Sequence, residues 1–540
     1  MCNEYFKAQK SKISFYTLLS LCTLILSLTT PYITGSFIDD LISNDKLLVI
    51  VRYCLLFLII SLANLAISFV QRLLYIKLQT RTGFQFNREL IEHVQKINIS
   101  ELKDKDLASL NQQINNDANS LITFYLDIFN NLFSNILTIP LLITVCFLKD
   151  RLITLLFVPI YILYIISYRF IKDKKYKFTY DLKQNQISFF SKLYEQLNFI
   201  ELIKEQSIGN YFINRLNKPF EKLLKSVENN TKMVFIVTGI DTIIFIISQL
   251  ALYILAAYQV YMKEMSVGDF IIFSTYYGVI ISSIRYFFNF GSIYQEVLVS
   301  YKRTKELLNI EAETPGIANL KNIDEISIKN LTFHFHDNIG FSNLNVNLKK
   351  GGIYGIVGRN GAGKSTMLKI LLTLYNNKMD RGAITFNNET DINDISKDHY
   401  KRHLIAYTEQ EINLFSSSVE TNIVLDNSVD NIDFINMLFK ELDFEYDNDQ
   451  NNLIDAGLLS RSDSEISNLS LGEKQKIGLL RALRKDADVI LLDEPTASLD
   501  NKARIGLMRF LKKIKSNKII LIVTHDPYII DHCDDLITLN

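Results

Sequence analysis

Apolar stretches without a single Asp, Glu, Lys or Arg dominate the first half of the chain. They run over Ser14–Gly35, Tyr53–Gln71, Ile128–Leu148, Leu152–Tyr168, Thr242–Met262 and Phe270–Ile284. A helix needs about 17–25 apolar residues to cross a bilayer, so the pattern predicts six spanning helices. The sixth run is short, but it continues past Arg285 through Tyr286, Phe287, Phe288 and Phe290. The first run is too long for a signal-peptide core and no small-residue cleavage site follows it, so it is read as a span. The stretches after the second and fourth runs are too long to be structureless, and their apolar spacing is helical. Phe84, Arg88, Leu90, Ile91 and Val94 show it, as do Leu193, Leu197, Ile200 and Ile203. The spanning helices are therefore expected to continue far beyond the membrane.

Past Glu311–Asn319, a Pro- and Gly-containing linker, the period changes. Short apolar runs at Ile353–Val357, Val489–Leu492, Ile519–Val523 and Asp535–Leu539 alternate with amphipathic stretches at Lys364–Tyr375 and Arg504–Lys515. Continuously apolar strands between helices predict a parallel sheet covered on both faces. The expected organisation is a helical membrane domain over 1–310, a linker over 311–325 and an α/β domain over 326–540.

Charge sharpens this division. The chain has 58 basic and 58 acidic residues, but residues 1–310 carry 32 and 24 while the remainder carries 26 and 34. Neutral overall charge offers no footprint for nucleic acid, which is not expected as a partner. Within the first half, Met1–Ile13, Lys77–Phe124 and Arg169–Met233 hold 3, 6 and 13 Lys or Arg. The alternate loops together hold only Lys46, Lys149, Arg151 and Lys263. By the positive-inside rule the N-terminus and the long loops are cytoplasmic. Five scattered cysteines form neither a disulfide framework nor a zinc motif. Asp241 and Arg285 flank apolar runs. They pair with each other, line a cavity for a polar substrate, or sit solvated at the interface. Tyr276, Tyr277, Tyr286, Phe287 and Phe288 read either as packing or as a surface for an amphipathic substrate.

Gly358-Arg-Asn360-Gly361-Ala362-Gly363-Lys364-Ser365-Thr366 follows one apolar strand and opens a helix, which makes it a P-loop. Its glycines let backbone N–H groups turn toward phosphates, and the helix N-terminus adds positive potential. Lys364 would reach the β- and γ-phosphates and Ser365 would ligate Mg²⁺. Asp493 and Glu494 follow the strand Val489–Leu492. Asp493 would hold Mg²⁺ and Glu494 would polarise an attacking water.

Leu469-Ser470-Leu471-Gly472-Glu473-Lys474-Gln475 precedes Asp493 by about 20 residues. With this segment the chain resembles the ATP-binding cassette family in its exporter arrangement, six spans followed by one nucleotide-binding domain. The resemblance extends over essentially the whole chain. It implies that Gln410 is a Mg²⁺ ligand and domain-coupling residue, that Asp500 lies in the D-loop, and that His525 contacts the γ-phosphate. It also implies that Phe335 stacks on adenine. Ser470 and Gly472 would complete the ATP site of a second such domain, so the chain must dimerise. The partner is expected to be a second copy, with a different half-transporter as the alternative.

Leu471 and Glu473 depart from the family's signature, and Ser464–Asn468 replaces its usual preceding stretch. The leucine is expected to restrict backbone approach, with ATP hydrolysis surviving at a slower rate. No peptidase-like segment precedes the first span, so cargo maturation is not expected. The chain ends about 15 residues after His525, where similar exporters usually continue, which would leave that edge less covered. The resemblance implies ATP-driven export of a peptide, lipid or drug-like molecule, with ATP and Mg²⁺ as cofactors. Coupling contacts are expected near Asn98–Asp106 and Glu205–Arg215. The alternatives are a membrane sensor or gated channel that uses ATP as a switch, and a merely anchored ATPase.

Overall fold

The computed structural model describes residues 9–43, 47–102, 110–111, 113–155, 157–313, 316–335, 338–375, 379–425, 432–444 and 469–539. Two compact units emerge. One comprises Met1–Gln95 and Asp106–Asn309, the other Lys96–Lys105 and Ile310–Asn540.

Among the described residues of the first unit, six helices are long and apolar enough to cross a membrane. They are α1 (Lys10–Ser43), α2 (Leu47–Lys96), α3 (Ile114–Lys149), α4 (Arg151–Asn198), α5 (Gly209–Tyr261) and α6 (Val267–Leu308). At about 1.5 Å per residue, the 50 residues of α2 reach about 75 Å, well over twice a hydrocarbon core. Leu55, Leu58, Ile59, Leu62, Leu65 and Phe69 project outward and exposed from α2, as apolar side chains in lipid do. Pro31 and Pro140 lie inside α1 and α3 without ending them.

At the end of α1 beyond its apolar run, Asp39 clasps the start of α6. Its carboxylate accepts from Ser266 Oγ at 2.6 Å and Gly268 N at 2.7 Å, while Ser266 caps α6 by accepting from Asp269 N. The two helices touch through glycines. A Cβ on Gly268 would lie 2.1 Å from the Gly35 carbonyl oxygen. At the opposite end of the spans, Arg285 Nε lies 2.7 Å from Asp241 Oδ2, and Tyr164 OH donates to Asp241 Oδ1 at 2.7 Å. The Arg285 guanidinium also sits 5.3 Å from the Phe245 ring centroid. Of the alternatives for these charges, the structure holds the pair. Tyr276 and Tyr277 are buried, with Tyr276 OH donating to Leu28 O at 2.8 Å, so these two tyrosines pack the unit.

The second unit holds two sheets. An antiparallel sheet is formed by β1 (Glu325–Phe335), β2 (Asn338–Lys349), β4 (Met379–Phe386) and β5 (Thr390–Asp391), in the order β2-β1-β4-β5. A parallel sheet is formed by β3 (Ile353–Gly358), β6 (Ile405–Thr408), β7 (Val489–Asp493), β8 (Ile519–Val523) and β9 (Asp535–Leu539), in the order β6-β7-β8-β3-β9. Along β8, Ile519, Leu521 and Val523 pack with β1, β4 and helix α7 (Lys364–Leu371). Ile520 and Ile522 face the opposite core with α8 (Val419–Val424), α9 (Ile432–Glu441), α10 (Leu471–Leu483) and α11 (Asn501–Ile514). Burial on both faces is why these strands lack an alternating polar face.

A short helix over Ile99–Leu102 belongs to this unit, and Ile97 bridges Ala312 across the start of the linker. Ile200–Glu205 forms another short helix, at the turn between α4 and α5. Ser464–Asn468 lies outside the described residues.

Removing one member of the Asp241–Arg285 pair leaves the other without its counter-charge. Asp241→Asn and Arg285→Met each lower the thermal midpoint of the detergent-solubilised chain more than the double variant does. The coupling is on the order of 1 kcal/mol in a double-mutant cycle.

Candidate functional site

The carboxyl ends of the parallel strands gather the chemistry, as open α/β sheets do. β3 is buried between β8 and β9 and delivers the loop 358–363. Gly361 at φ 85° and Gly363 at φ 87° take the left-handed conformation that glycine tolerates best, and Gly363 caps α7. Gly358 meets a different constraint: a Cβ there would lie 2.3 Å from the Leu539 carbonyl of β9. Asn360 and Gly361 are exposed at the tip, and Ala362 N closes the turn on Arg359 O at 3.1 Å. Lys364 is buried, its Nζ donating to Gly358 O at 2.9 Å and Arg359 O at 3.1 Å. The ammonium is thereby aimed into the loop that the first turn of α7, with Ser365 and Thr366, opens toward an anion.

β7 pairs with β8 so that Asp493 lies opposite Val523. Asp493 is 2% exposed, and its Oδ1 is buried without a hydrogen-bond partner. Its carboxyl pKa is raised, chiefly by burial and further by the neighbouring Glu494. The Ser365 hydroxyl opposes the shift, as do Lys369 and Lys364. An orphaned carboxylate oxygen beside a hydroxyl is the hard oxygen donor set that Mg²⁺ requires, so these residues fit that ion.

Glu494 stands at φ 46°, a left-handed conformation unusual for a residue with a side chain. Its N–H donates to Val523 O at 2.8 Å, and Gln410 Nε2 donates to its Oε2 at 3.3 Å. β6 and β7, paired in parallel, bring these residues together across 84 positions of sequence. His525 follows β8 and is exposed, and Phe335 ends β1 with its side chain outside the described residues.

Ser470 is the N-cap of α10, and Glu473 completes a capping box with it. Ser470 Oγ accepts from Glu473 N at 3.2 Å, and Ser470 N donates to Glu473 Oε2 at 2.7 Å. Capping uses a lone pair and leaves the Ser470 hydroxyl proton to donate elsewhere. Leu471 is 73% exposed and opens the helix. A Cβ on Gly472 would approach Ser498 O to 2.9 Å, which ties this glycine to packing. Asp500 caps α11, accepting from Ala503 N at 2.8 Å.

Four residues enter here to which the motifs assigned no role. Asp526 Oδ2 accepts from Thr496 Oγ1 at 3.3 Å and from Arg504 Nη1 at 3.3 Å, joining the segment after Glu494 to the one after His525. A Thr, an Arg and an Asp without local spacing carry no signal for this. Gln475, visible in the signature stretch, is 3% exposed and donates from Nε2 to Glu494 O at 3.3 Å.

These geometries define a P-loop nucleoside-triphosphate site in a chain with six candidate membrane spans. The model of the ABC transporter transmembrane region matches residues 13–284, and the ABC transporter model matches 341–497. A Haemophilus influenzae protein named as an ABC transporter ATP-binding/permease protein is 33% identical over 276 residues, 50% of this chain and 48% of that one. A Rickettsia felis export ATP-binding/permease protein is 26% identical over 93% of this chain and 86% of its own. The multidrug resistance-like ATP-binding protein MdlA of Buchnera aphidicola is 27% identical over 95% and 88%. A bacterial Atm1-family ABC exporter solved with ATP bound shares the fold, with a TM-score of 0.83 at 15% identity over 99% and 94% of the two chains. The chain belongs to the ABC transporter family. It is a multi-pass membrane protein of half-transporter build, and an ATPase coupled to transport.

Because the folded Asp493 holds its proton more tightly than the unfolded chain, stability from this group is greatest at low pH and falls as pH rises through its raised pKa. Asp493→Asn therefore raises the thermal midpoint without nucleotide at neutral pH, with the difference closing toward acid, while Mg²⁺-dependent ATP hydrolysis is lost. Glu473→Ala removes the capping box and destabilises by about 1 kcal/mol, whereas Glu473→Gln keeps an acceptor and stays close to the parent in thermal unfolding.

Proposed function

We propose that this chain is one half of an ATP-driven exporter that moves an amphipathic peptide, lipid or drug-like molecule out of the cell by alternating access. The convergence of Lys364, the Ser365–Asp493 pair and the Gln410–Glu494 pair at the ends of β3, β7 and β6 carries the reading. Lys364 and the loop amides hold the β- and γ-phosphates of ATP. Ser365, Asp493 and Gln410 would hold Mg²⁺, which would supply positive charge against the phosphate oxygens. Glu494 orients and polarises the attacking water, and His525 contacts the γ-phosphate from the end of β8. Phe335 stacks on the adenine.

Ser470 and Gly472, with Asp500 nearby, complete the site of a second nucleotide-binding domain, since a donor at the tip of α10 serves a phosphate outside its own loop. Two copies of this chain form the dimer. Its domains are a membrane domain over 1–310, a linker over 311–325 and a nucleotide-binding domain over 326–540. The N-terminus and the nucleotide-binding domain face the cytoplasm, a reading that the concentration of Lys and Arg in the long loops supports. Export is also what the name of the Rickettsia felis relative describes for that protein, and the Buchnera aphidicola relative is named as multidrug resistance-like.

The purified chain, reconstituted alone in liposomes, is expected to hydrolyse ATP and to accumulate a fluorescent amphipathic peptide or drug inside vesicles whose nucleotide-binding side faces out. Glu494→Gln lowers hydrolysis by about 100-fold or more while retaining ATP binding. Hydrolysis without accumulation of any of a panel of such substrates would replace export by ATP switching. Activity that appears only with a different half-transporter would replace the homodimer.

A further inference from the structure

Glu494 is held in place by its backbone as much as by its side chain. At φ 46° an L-residue persists only where its surroundings over-determine it. Four hydrogen bonds do so. The N–H is fixed by Val523 O of β8 at 2.8 Å, and the carboxylate is met by Gln410 Nε2 at 3.3 Å. The carbonyl receives two donors at 3.3 Å, the N–H of Ala497 in its own turn and the side-chain amide of Gln475. Only the last comes from α10, the helix whose first turn is the exposed Ser470–Gly472 signature.

That helix is tied as one piece to its surroundings. Its start is locked by the capping box, and Ile477, Leu479 and Leu480 are buried along it. Gly478 packs so closely on Ile412 that an added Cβ would lie 2.4 Å away. Arg481 donates to Asn422 O at 2.8 Å and Asn413 O at 3.1 Å, joining the helix to the segment that follows Gln410. Gln475 lies five residues inside this rod and is almost wholly buried. A side-chain amide in such a position carries a desolvation cost that an apolar residue would not. Its hydrogen bond goes to the peptide of Glu494, at the carboxyl end of β7.

We infer that Gln475 is a positioning residue: it transmits the placement of the signature helix to the peptide plane of Glu494, and so sets the direction of that carboxylate. The signature that serves one ATP site thereby adjusts the general base of its own. This inference rests on the assignment of Glu494 to water activation.

The test uses the full chain in liposomes, with Glu494→Gln as reference. Gln475→Leu keeps the size and removes the donor. It is expected to lower kcat about tenfold, the worth of one hydrogen bond, with the KM for ATP and the binding of a fluorescent ATP analogue within about twofold. Gln475→Glu separates positioning from packing. An ionised carboxylate cannot donate to the Glu494 carbonyl but a protonated one can, so its kcat, relative to that of Gln475→Leu, rises as pH falls. A wild-type kcat in Gln475→Leu overturns the inference, and so does an identical pH profile for the two variants. Should Gln475→Leu fail to reach the membrane, the Gln475→Glu profile against the parent decides alone. If Glu494→Gln itself keeps full activity, the assignment of Glu494 has failed, an outcome separate from the failure of Gln475.

Discussion

Val489–Leu492 and Ile519–Val523 are buried on both faces, so their backbone groups find partners only in neighbouring strands. Parallel pairing of β7 with β8, and of β8 with β3, satisfies them and fixes one register. From that register follow the other distances of the nucleotide-binding unit. The P-loop leaves the end of β3, the Asp493–Glu494 pair leaves the end of β7, and His525 leaves the end of β8. The polar chemistry lies where the apolar strands stop, because only there do backbone and side chains meet groups other than the sheet.

The membrane unit obeys the complementary constraint. In hydrocarbon, helices satisfy their own backbones and apolar side chains need no protein partner, which is why α2 leaves Leu58, Leu62 and Phe69 exposed. Charged side chains are held near the two ends of the spans. Asp39 joins α1 to α6 at one end, and the Asp241–Arg285–Tyr164 cluster joins α4, α5 and α6 at the other. A charge that has left bulk water must find a counter-charge or a donor, and these groups have done so.

Much of this was legible in the chain. The runs without charge marked the helices, and the six apolar segments coincide with the six helices long enough to span. The P-loop was legible because its glycines, lysine and serine are contiguous and their chemistry is local. Glu473 was harder to read. It stood out as a departure from the signature, whereas in the folded helix it caps Ser470, a role for which a glutamate three residues after a serine is well suited. Leu471, the other departure, opens the same helix with its side chain exposed. Tyr276 and Tyr277 could not be divided between packing and substrate contact by spacing alone, since one helix face looks the same whatever covers it. Gln475 was in plain view and carried no signal, because the carbonyl it holds lies 19 residues away.

The character of contiguous residues marks the helices long and apolar enough to span, the strands buried on both faces, and the P-loop. Only the tertiary structure decided which distant groups meet: Arg285 with Asp241, Gln410 with the Glu494 carboxylate, Gln475 with the Glu494 carbonyl. Such contacts depend on strand register and helix packing, which arise from the summed burial of many side chains and leave no trace in the spacing of any few.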